Sequence, residues 1–465
     1  MPKKKKNDAD DEPSIVPVSP TIQLQTMSKT PQLIKGMKDV LPIDQAMWEH
    51  IRDTARMIAT QYGFERIDTP ILEPTSLYTH SVGKLTDIVE KEMYTFTDLG
   101  GDSVTMRPEF TAGVARAYIE HGMWNMPQPI KMYSIGSLFR HEKPQADRYR
   151  QHNQFDCEVI GESNPAVDAQ LILIAYKLYK TLSIPVMLQI NSIGCLVCRG
   201  VYKEELTEYY KSKRSHVCED CKRRLTKNPL RLLDCKVEQC QPIKNGAPQI
   251  VDYLCDECKT HFEKVLEFLD VLEIPYSLNS YLVRGFDYYT RTVFEFYLLQ
   301  EEEEVPGLAL GGGGRYDNLI EVLGGRPTPG CGFGLGIERI VNRLKQMIHD
   351  GDESVLPVRA PVDIFFAQLG EQAKRQSMVL YENLVSEEFA VAEGFAKDSL
   401  KAQLELANKL NVRFTLILGQ KELLDGTIII RNMEGGEQEV VDIKKIVPIL
   451  KKKMESVSED PQSNL

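Results

Sequence analysis

Between Cys195 and Cys258, eight of the chain's ten cysteines stand in four pairs: Cys195-x2-Cys198, Cys218-x2-Cys221, Cys235-x4-Cys240 and Cys255-x2-Cys258. Three of the pairs have the two-residue spacing that presents both sulfurs to one tetrahedral metal ion. Eight thiolates are enough for two such zinc sites. The same pattern also suits one site, or a helical insert that keeps reduced thiols buried. Which pair partners which cannot be read from spacing. Residues 195–262 therefore read as an insertion of their own character, and the rest of the chain must build its cores around it. Cys157 and Cys331 stand alone and read as core residues.

With 465 residues the chain is too long for a single hydrophobic core, so two or three domains are expected. Hydrophobic residues make up 42% and charged residues 26%, an ordinary globular balance. The longest apolar run, Leu171 to Tyr176, falls far short of a membrane span. Met1 to Asp10 is charged and no apolar stretch follows, which argues against a secretory signal and for a cytoplasmic protein. In that compartment cysteines serve as thiols or metal ligands rather than disulfides. A net charge of −11 excludes a protein that relies on non-specific nucleic-acid contacts. RNA binding would have to use local patches. Val358 to Lys452, with 13 Lys+Arg against 14 Asp+Glu, is the least repulsive part of the chain for a polyanion.

Residues 1–30 mix the lysine run Lys3 to Lys6 with acidic residues and prolines, and read as a disordered tail; residues 453–465 read as a second. Ile43, Met47, Ile51 and Ile58 mark one helical face behind Pro42. Ile130 to Arg140 reads as a strand. Asp168 is expected to cap a helix with Leu171, Ala175, Leu178 and Leu182 on one side. Thr292 to Leu298 alternates as a strand, Glu301 to Glu304 suits a solvated hairpin loop, and Gly311 to Gly314 opens a further strand–helix region. Residues 31–194 and 263–348 would then form one core. Around His349 to Val358 lies a linker. Beyond it, strands at Val362–Ala367, Phe389–Ala392, Phe414–Leu418 and Thr427–Arg431 alternate with helices, one carrying Leu400, Leu404, Ala407 and Leu410 on one face. That pattern gives a small α/β domain over 358–452.

Four segments carry chemistry. Tyr133 to Glu158 holds Phe139-Arg140-His141-Glu142, a polar loop with Arg148 and Arg150, then Gln154 and Glu158. An arginine at a strand end can grip a phosphate bidentately, and Glu142 suits an adenine amine or an incoming RNA end. Arg284-Gly285-Phe286-Asp287-Tyr288-Tyr289-Thr290-Arg291 packs tyrosines, arginines and an aspartate into a stretch that suits a pocket for a small zwitterion. Gly311 to Gly314, followed by Arg315-Tyr316-Asp317, removes side chains where a backbone or ligand comes close, and is neither a P-loop nor a dinucleotide fingerprint. Gly332 to Arg339 is a glycine-rich strand running into a helix whose first turn places Arg339 within reach of a phosphate.

Together these segments resemble the histidyl-tRNA synthetase family. Lys35-Gly36-Met37-Lys38-Asp39-Val40-Leu41-Pro42 is similar to its opening motif, which leads into a dimer-interface helix. Phe139 to Glu158 and Gly332 to Arg339 resemble class II motifs 2 and 3. Arg284 to Thr292 and Gly312 to Asp317 resemble the two signatures peculiar to the histidine enzymes. Ala367 to Ala373 and Phe414 to Gly419 are similar to parts of the anticodon-binding domain. The resemblance implies an α+β catalytic core with an antiparallel sheet of class II synthetase type and a C-terminal α/β anticodon-binding domain, to which the cysteine spacing adds a helical cysteine-rich insert. It implies ATP-dependent ligation of L-histidine to tRNA(His) through a histidyl-adenylate, with Mg2+ accompanying ATP, by a homodimer.

By position, the resemblance makes Arg284, Arg140 and Arg339 the catalytic arginines. Arg140, Glu142, Arg148, His152 and Arg339 would bind ATP, with Arg140 and Arg339 on its phosphates. Glu109, Thr111 and Gln154 would hold the substrate α-amino group. Glu158 and Tyr289 would bond the two imidazole nitrogens, Tyr288 and Tyr316 would line the ring pocket, and Arg284 would bridge carboxylate and α-phosphate. From cysteine spacing rather than from the resemblance, the zinc ligands would be Cys195, Cys198, Cys218, Cys221, Cys235, Cys240, Cys255 and Cys258. His152 replaces the family's usual adenine-stacking Phe, Asp147 its frequent Gly, and Phe110 a smaller residue. Two rivals are a non-catalytic synthetase-like regulatory subunit of histidine biosynthesis and a zinc-dependent RNA-binding module. The first typically lacks both the tail domain and the catalytic arginine, whereas this chain has both.

Overall fold

The computed structural model describes residues 30–83, 86–143, 148–299, 309–352 and 362–458. Lys3 to Lys6, Asp147, Glu301 to Glu304, most of the expected linker and residues 459–465 lie outside the described residues. The chain divides into two compact units, Met1–Val355 and Leu356–Leu465. Among the described residues no helix is long and apolar enough to cross a membrane.

The first unit is built on an eight-stranded sheet. Its order is Glu65–Arg66, Ile130–Phe139, Gln151–Ile160, Gly330–Gly336, Ala309–Arg315, Thr290–Leu298, Val186–Ser192 and Tyr276–Leu278. The central six strands pair antiparallel, while each short edge strand pairs parallel with its neighbour. Glycine is needed where the central strands crowd. A Cβ on Gly313 would lie 2.0 Å from the Gly332 carbonyl oxygen, and one on Gly332 would lie 1.6 Å from a Glu158 carboxylate oxygen. The glycine-rich pair thus leaves room for an acidic side chain to lie against the sheet.

One face of this sheet packs on helices Pro42–Gln61, Pro165–Thr181 and Ile337–His349. Pro42 sits in the first turn of its helix, where its missing N–H is not needed. Met47, Ile51 and Ile58 are buried as their spacing implies, but Ile43 is exposed, outside the packed stretch. The helix Pro165–Thr181 buries Leu171, Ala175 and Leu178, and Leu182 is buried just beyond it. Its cap, however, is Asn164, whose side chain accepts from the Ala166 N–H at 3.0 Å. Asp168 instead turns inward, fully buried, and takes a 2.6 Å bond from the equally buried Arg315. Local signals favoured an acidic cap; a guanidinium 147 residues away needs that carboxylate more.

Across the sheet, a second core joins helix Thr111–Glu120 to the cysteine-rich insert. The insert is helical, with Leu196–Lys211, Glu219–Lys227 and Gln241–Asn245 among its elements. The helix Asp256–Val271 straddles the expected boundary at residue 262. Its first turn carries Cys258, while Phe262, Val265 and Leu269 belong to the sheet core.

The second unit has a five-stranded sheet in the order Val391–Glu393, Ile364–Gln368, Phe414–Leu418, Thr427–Asn432 and Gln438–Asp442. Helices Glu371–Ser386, Leu400–Lys409 and Ile446–Ser458 accompany it. The last helix runs past Lys452, where a disordered tail was expected, because Ile446, Leu450 and Met454 recur one turn apart on the core side.

Candidate active site

In the first unit a cavity of about 890 Å3 opens above the central strands. It is lined by Glu109, Thr111, Arg140, Glu142, Arg148, His152, Gln154, Arg284, Tyr288, Tyr289, Tyr316 and Arg339, which were all expected, together with Asp156 and Glu295. Sites for small molecules have this scale and this mixture of apolar wall and converging polar groups.

Three arginines converge on the cavity. Arg140 follows the strand Ile130–Phe139, donates to the Pro108 carbonyl at 2.8 Å and lies 5.5 Å from the Phe286 ring centroid. Arg339 stands in the first turn of the helix Ile337–His349 and donates to the Ala309 carbonyl. Burial, and then Arg148 as a neighbouring cation, hold the Arg339 guanidinium below its ordinary range. Crowded like charges of this kind are what a polyanion relieves. Arg148 is half-exposed and bonds Glu142 at 3.1 Å. Burial, then Arg140 and Arg339, push His152 down to about 3, so its ring is neutral at neutral pH. A neutral ring can stack on a base but cannot ion-pair with phosphate.

Buried acids gather at the same cavity, with Arg140 near Glu109 and Asp156. Glu158 accepts 2.6 Å bonds from the Thr111 and Tyr316 hydroxyls, one on each oxygen. Burial raises its carboxyl to about 8 in spite of both bonds. Glu158 is not among the cavity-lining residues: it stands behind Thr111 and Tyr316. Glu109 accepts from the Ala112 N–H at 2.9 Å at the start of the helix Thr111–Glu120, and burial raises its carboxyl as well. Asp156 is buried with one oxygen unpartnered, and burial followed by Glu158 and Glu109 puts it well above the usual range. Tyr288 and Tyr289 have ring centroids 4.7 Å apart, and Phe286 stacks on Tyr288 at 5.1 Å.

Arg284 sits 5.4 Å from the Tyr289 ring centroid and pairs with Glu295, whose other oxygen accepts from Tyr297. Neither Glu295 nor Tyr297 was expected. The alternation of Thr290–Leu298 contained the signal: Phe294 and Phe296 enter the core, so Glu295 and Tyr297 face the cavity. Asp156 had a similar signal, lying two residues from each of Gln154 and Glu158 on one strand. The insert's contribution to the cavity wall, Arg231, Leu233, Asp234, Cys235 and Lys236 among others, had no sequence signal.

The eight cysteines resolve into two quartets. Cys195, Cys198, Cys255 and Cys258 form one, and Cys218, Cys221, Cys235 and Cys240 the other. Within each, all sulfurs lie within 4.8 Å of one another. Cys195 and Cys198 sulfurs are 3.6 Å apart, and those of Cys218 and Cys235 are 3.9 Å apart. A tetrahedral ion with bonds of about 2.3 Å sets sulfurs about 3.8 Å apart, so either quartet could bind zinc. Cys195, Cys218 and Cys255 each precede a helix, with the second cysteine of the pair in its first turn. The Cys255 N–H donates to the Cys198 sulfur at 3.1 Å and the Cys218 N–H to the Cys240 sulfur at 3.2 Å.

An antiparallel sheet with glycine-rich central strands, an arginine entering on a strand end and another on a helix start define a class II aminoacyl-tRNA synthetase fold. The family model for histidyl-tRNA synthetase matches residues 36–340, and that for an anticodon binding domain matches residues 355–453. The chain belongs to the histidyl-tRNA synthetase family. It is 45% identical to a histidine–tRNA ligase of Dehalococcoides mccartyi over 422 residues, 90% of this chain and 99% of that protein. Against the histidine–tRNA ligase of Natranaerobius thermophilus it is 45% identical over 416 residues, 88% and 96% of the two chains. The crystal structure of apo S. aureus histidyl-tRNA synthetase superposes with a TM-score of 0.75 at 35% identity, covering 91% of this chain and all of that one.

Proposed function

We propose that this enzyme joins L-histidine to ATP, forming histidyl-adenylate and diphosphate, and then moves the histidyl group to tRNA(His), releasing AMP. The observation that carries this reading is one cavity that brings the cations Arg140, Arg148 and Arg339 together with the buried acids Glu109 and Asp156 and the stacked tyrosines, with Glu158 behind Thr111 and Tyr316. A triphosphate and a zwitterion with a two-nitrogen ring need those opposite charges and that aromatic wall.

Arg140 and Arg339 hold the phosphates, Glu142 and Arg148 reach the adenine end and the outer phosphates, and neutral His152 stacks on the base. Glu109, Thr111 and Gln154 receive the α-amino group. Tyr289 bonds one imidazole nitrogen, Tyr288 and Tyr316 line the ring, and Glu158 acts from behind through Thr111 and Tyr316. Arg284 spans the substrate carboxylate and the α-phosphate, and its guanidinium meets the charge that grows on the bridging and leaving oxygens. Mg2+ would enter with ATP and neutralise phosphate charge. Glu92 and Glu142 suit it, since Glu92 is raised by burial and then by Glu142, a like-charge contact that a cation removes.

Structural zinc in the insert, a homodimer and a cytoplasmic location complete the proposal. The regulatory-subunit reading is not favoured, because Arg284 and the second unit are both present. The deciding experiment is ATP–pyrophosphate exchange across a panel of amino acids. Histidine alone should support exchange, because a pocket built to hydrogen-bond a substrate rejects those that leave its groups unpaired. Equal exchange with phenylalanine would overturn the assignment, and none with any amino acid would favour the RNA-binding module.

A further inference from the structure

Both cysteine quartets stand next to the groups that hold the segment Arg284–Arg291, which carries Arg284, Tyr288 and Tyr289. Arg199 follows Cys198 directly. It is buried, and one of its guanidinium nitrogens donates to two backbone carbonyls of the segment, Tyr289 at 2.7 Å and Asp287 at 3.2 Å. Glu257 lies between Cys255 and Cys258 and accepts from Arg291 at 2.5 Å. Gly194 precedes Cys195, and its carbonyl accepts from the Arg291 N–H at 2.9 Å. The fit there is tight: a Cβ on Gly194, at φ +65, would lie 2.5 Å from the Cys198 Cβ. The other quartet reaches the same segment from between Cys221 and Cys235. There Asn228 donates to the Asp287 carboxylate at 2.9 Å, and Arg231 lies against Gly285.

We infer that metal bound in the two quartets positions the histidine-reading segment, the first quartet through Arg199 and Glu257 and the second through Asn228 and Arg231. The inference rests on reading the quartets as zinc sites and the segment as the substrate's. Four thiols gathered without an ion are joined only by weak contacts through sulfur, and the helices they begin would then lose a strong common anchor. Arg199, Glu257, Asn228 and Arg231 all sit on or beside those helices, so their aim depends on the quartets. The ATP-side arginines Arg140 and Arg339 are held by the Pro108 and Ala309 carbonyls, and Arg140 meets the segment only at the Phe286 ring, 5.5 Å away. Metal should therefore govern histidine affinity more than ATP affinity. Arg199 is a positioning residue in this scheme, since it touches the segment and not the substrate.

The test uses full-length protein made under zinc-replete, reducing conditions. Elemental analysis should find two zinc per chain. Releasing them with a thiol-directed mercurial and a chelator should weaken histidine binding about tenfold, the scale of losing a hydrogen bond to a charged group. ATP binding, by calorimetry, should change less than about twofold, within the context scatter of one such bond. Hydrogen exchange should quicken at the amides of residues 284–291. Release that leaves histidine affinity and exchange unchanged overturns the positioning role while the zinc reading stands. A chain that never holds zinc overturns both, and a zinc-loaded chain that binds no histidine overturns the proposed function instead. Should metal release unfold the insert, Arg199→Met decides, because it keeps all eight thiols. It should retain two zinc, bind histidine about tenfold more weakly and exchange faster at 284–291, with Arg199→Lys recovering part of the loss. Unchanged histidine affinity in Arg199→Met overturns the inference.

Discussion

The two units bury different things. In the first, Arg315, Asp168, Glu158, Asp156 and Glu109 lie almost without exposure, and the acids near the cavity are pushed upward by that burial. In the second, the buried polar residues among those described are Gln368, Ser377, Gln403 and Thr415, none of them charged. Two of these satisfy each other: Gln403 donates to the Gln368 carbonyl at 2.8 Å and accepts from the Gln368 N–H at 2.9 Å. Burying a charge is costly unless it is paired, and a fold tolerates that cost where the charge has work to do. The contrast puts the buried charge in the first unit, with the proposed active site, and leaves the second with a core that carries no charge among its described residues.

The largest effect should come from Arg284, the cation proposed to span both substrates. Arg284→Ala is expected to slow adenylate formation by about 10²–10³-fold, the scale of removing one oxyanion-type donor, with a smaller change in ATP affinity. Arg284→Lys should recover little, because a point charge cannot span two oxyanions. Pre-steady-state adenylate formation reads it, and a folded Ala variant active within a few-fold of the parent would make Arg284 structural.

Removing the second unit from Pro357 onward tests the comparison from the other side. Charging of tRNA should fall about 10²-fold, the scale of one or two lost base-reading contacts, while pyrophosphate exchange stays near the parent's. Unchanged charging by the folded truncation would refute a tRNA role for that surface, and lost exchange would refute the confinement of chemistry to the first unit.

Much of this division was legible in advance, and the exceptions share a cause. Residues that act as one short segment declared themselves: Arg140 to Asp156, Arg284 to Tyr289 and Gly332 to Arg339 each supply several of the cavity-lining residues. Groups that matter through distant partners did not. Asp168 read as a cap because Arg315 is 147 residues away. The pairing of Cys195 with Cys255 rather than Cys218 depends on how the insert closes on itself, which spacing does not encode. Gln438–Asp442 was missed as a strand because it is an edge strand, mostly exposed on both faces, and lacks the apolar alternation that marks half-buried strands.

A smaller effect isolates the ring end. Tyr316→Phe removes the 2.6 Å bond to one Glu158 oxygen and leaves the ring in place. Histidine affinity should fall about tenfold, as expected for a lost hydrogen bond to a buried acid, with ATP affinity unmoved. Binding calorimetry with each ligand separates the two, and an equal loss for ATP would mean that the contacts proposed for the two substrates are not independent.

The smallest effect is on stability, and its sign follows from linkage. Glu158 has a folded value of about 8 against an ordinary 4.5, raised by burial. Below pH 4.5 the carboxyl is protonated in both states and carries no penalty. Between 4.5 and 8 the unfolded chain gives up that proton while the folded chain keeps it. The folded state then binds more protons, so stability falls as pH rises through this window, and above 8 the loss is complete. Glu158→Gln removes the titration and keeps an oxygen to accept from Thr111. The variant should therefore lose less stability than the parent between pH 5 and 8, by on the order of 1–3 kcal/mol after allowing for the neighbouring acids. Glu109 and Asp156 are also raised by burial and remain, so a shallower slope should persist in the variant. Because the chain has two units, the measurement should be local: hydrogen exchange of the Gln151–Ile160 strand, parent against variant at each pH. Parallel pH profiles for the two would show that Glu158 is ionised in the folded protein, and that the ring end holds a carboxylate rather than a buried acid.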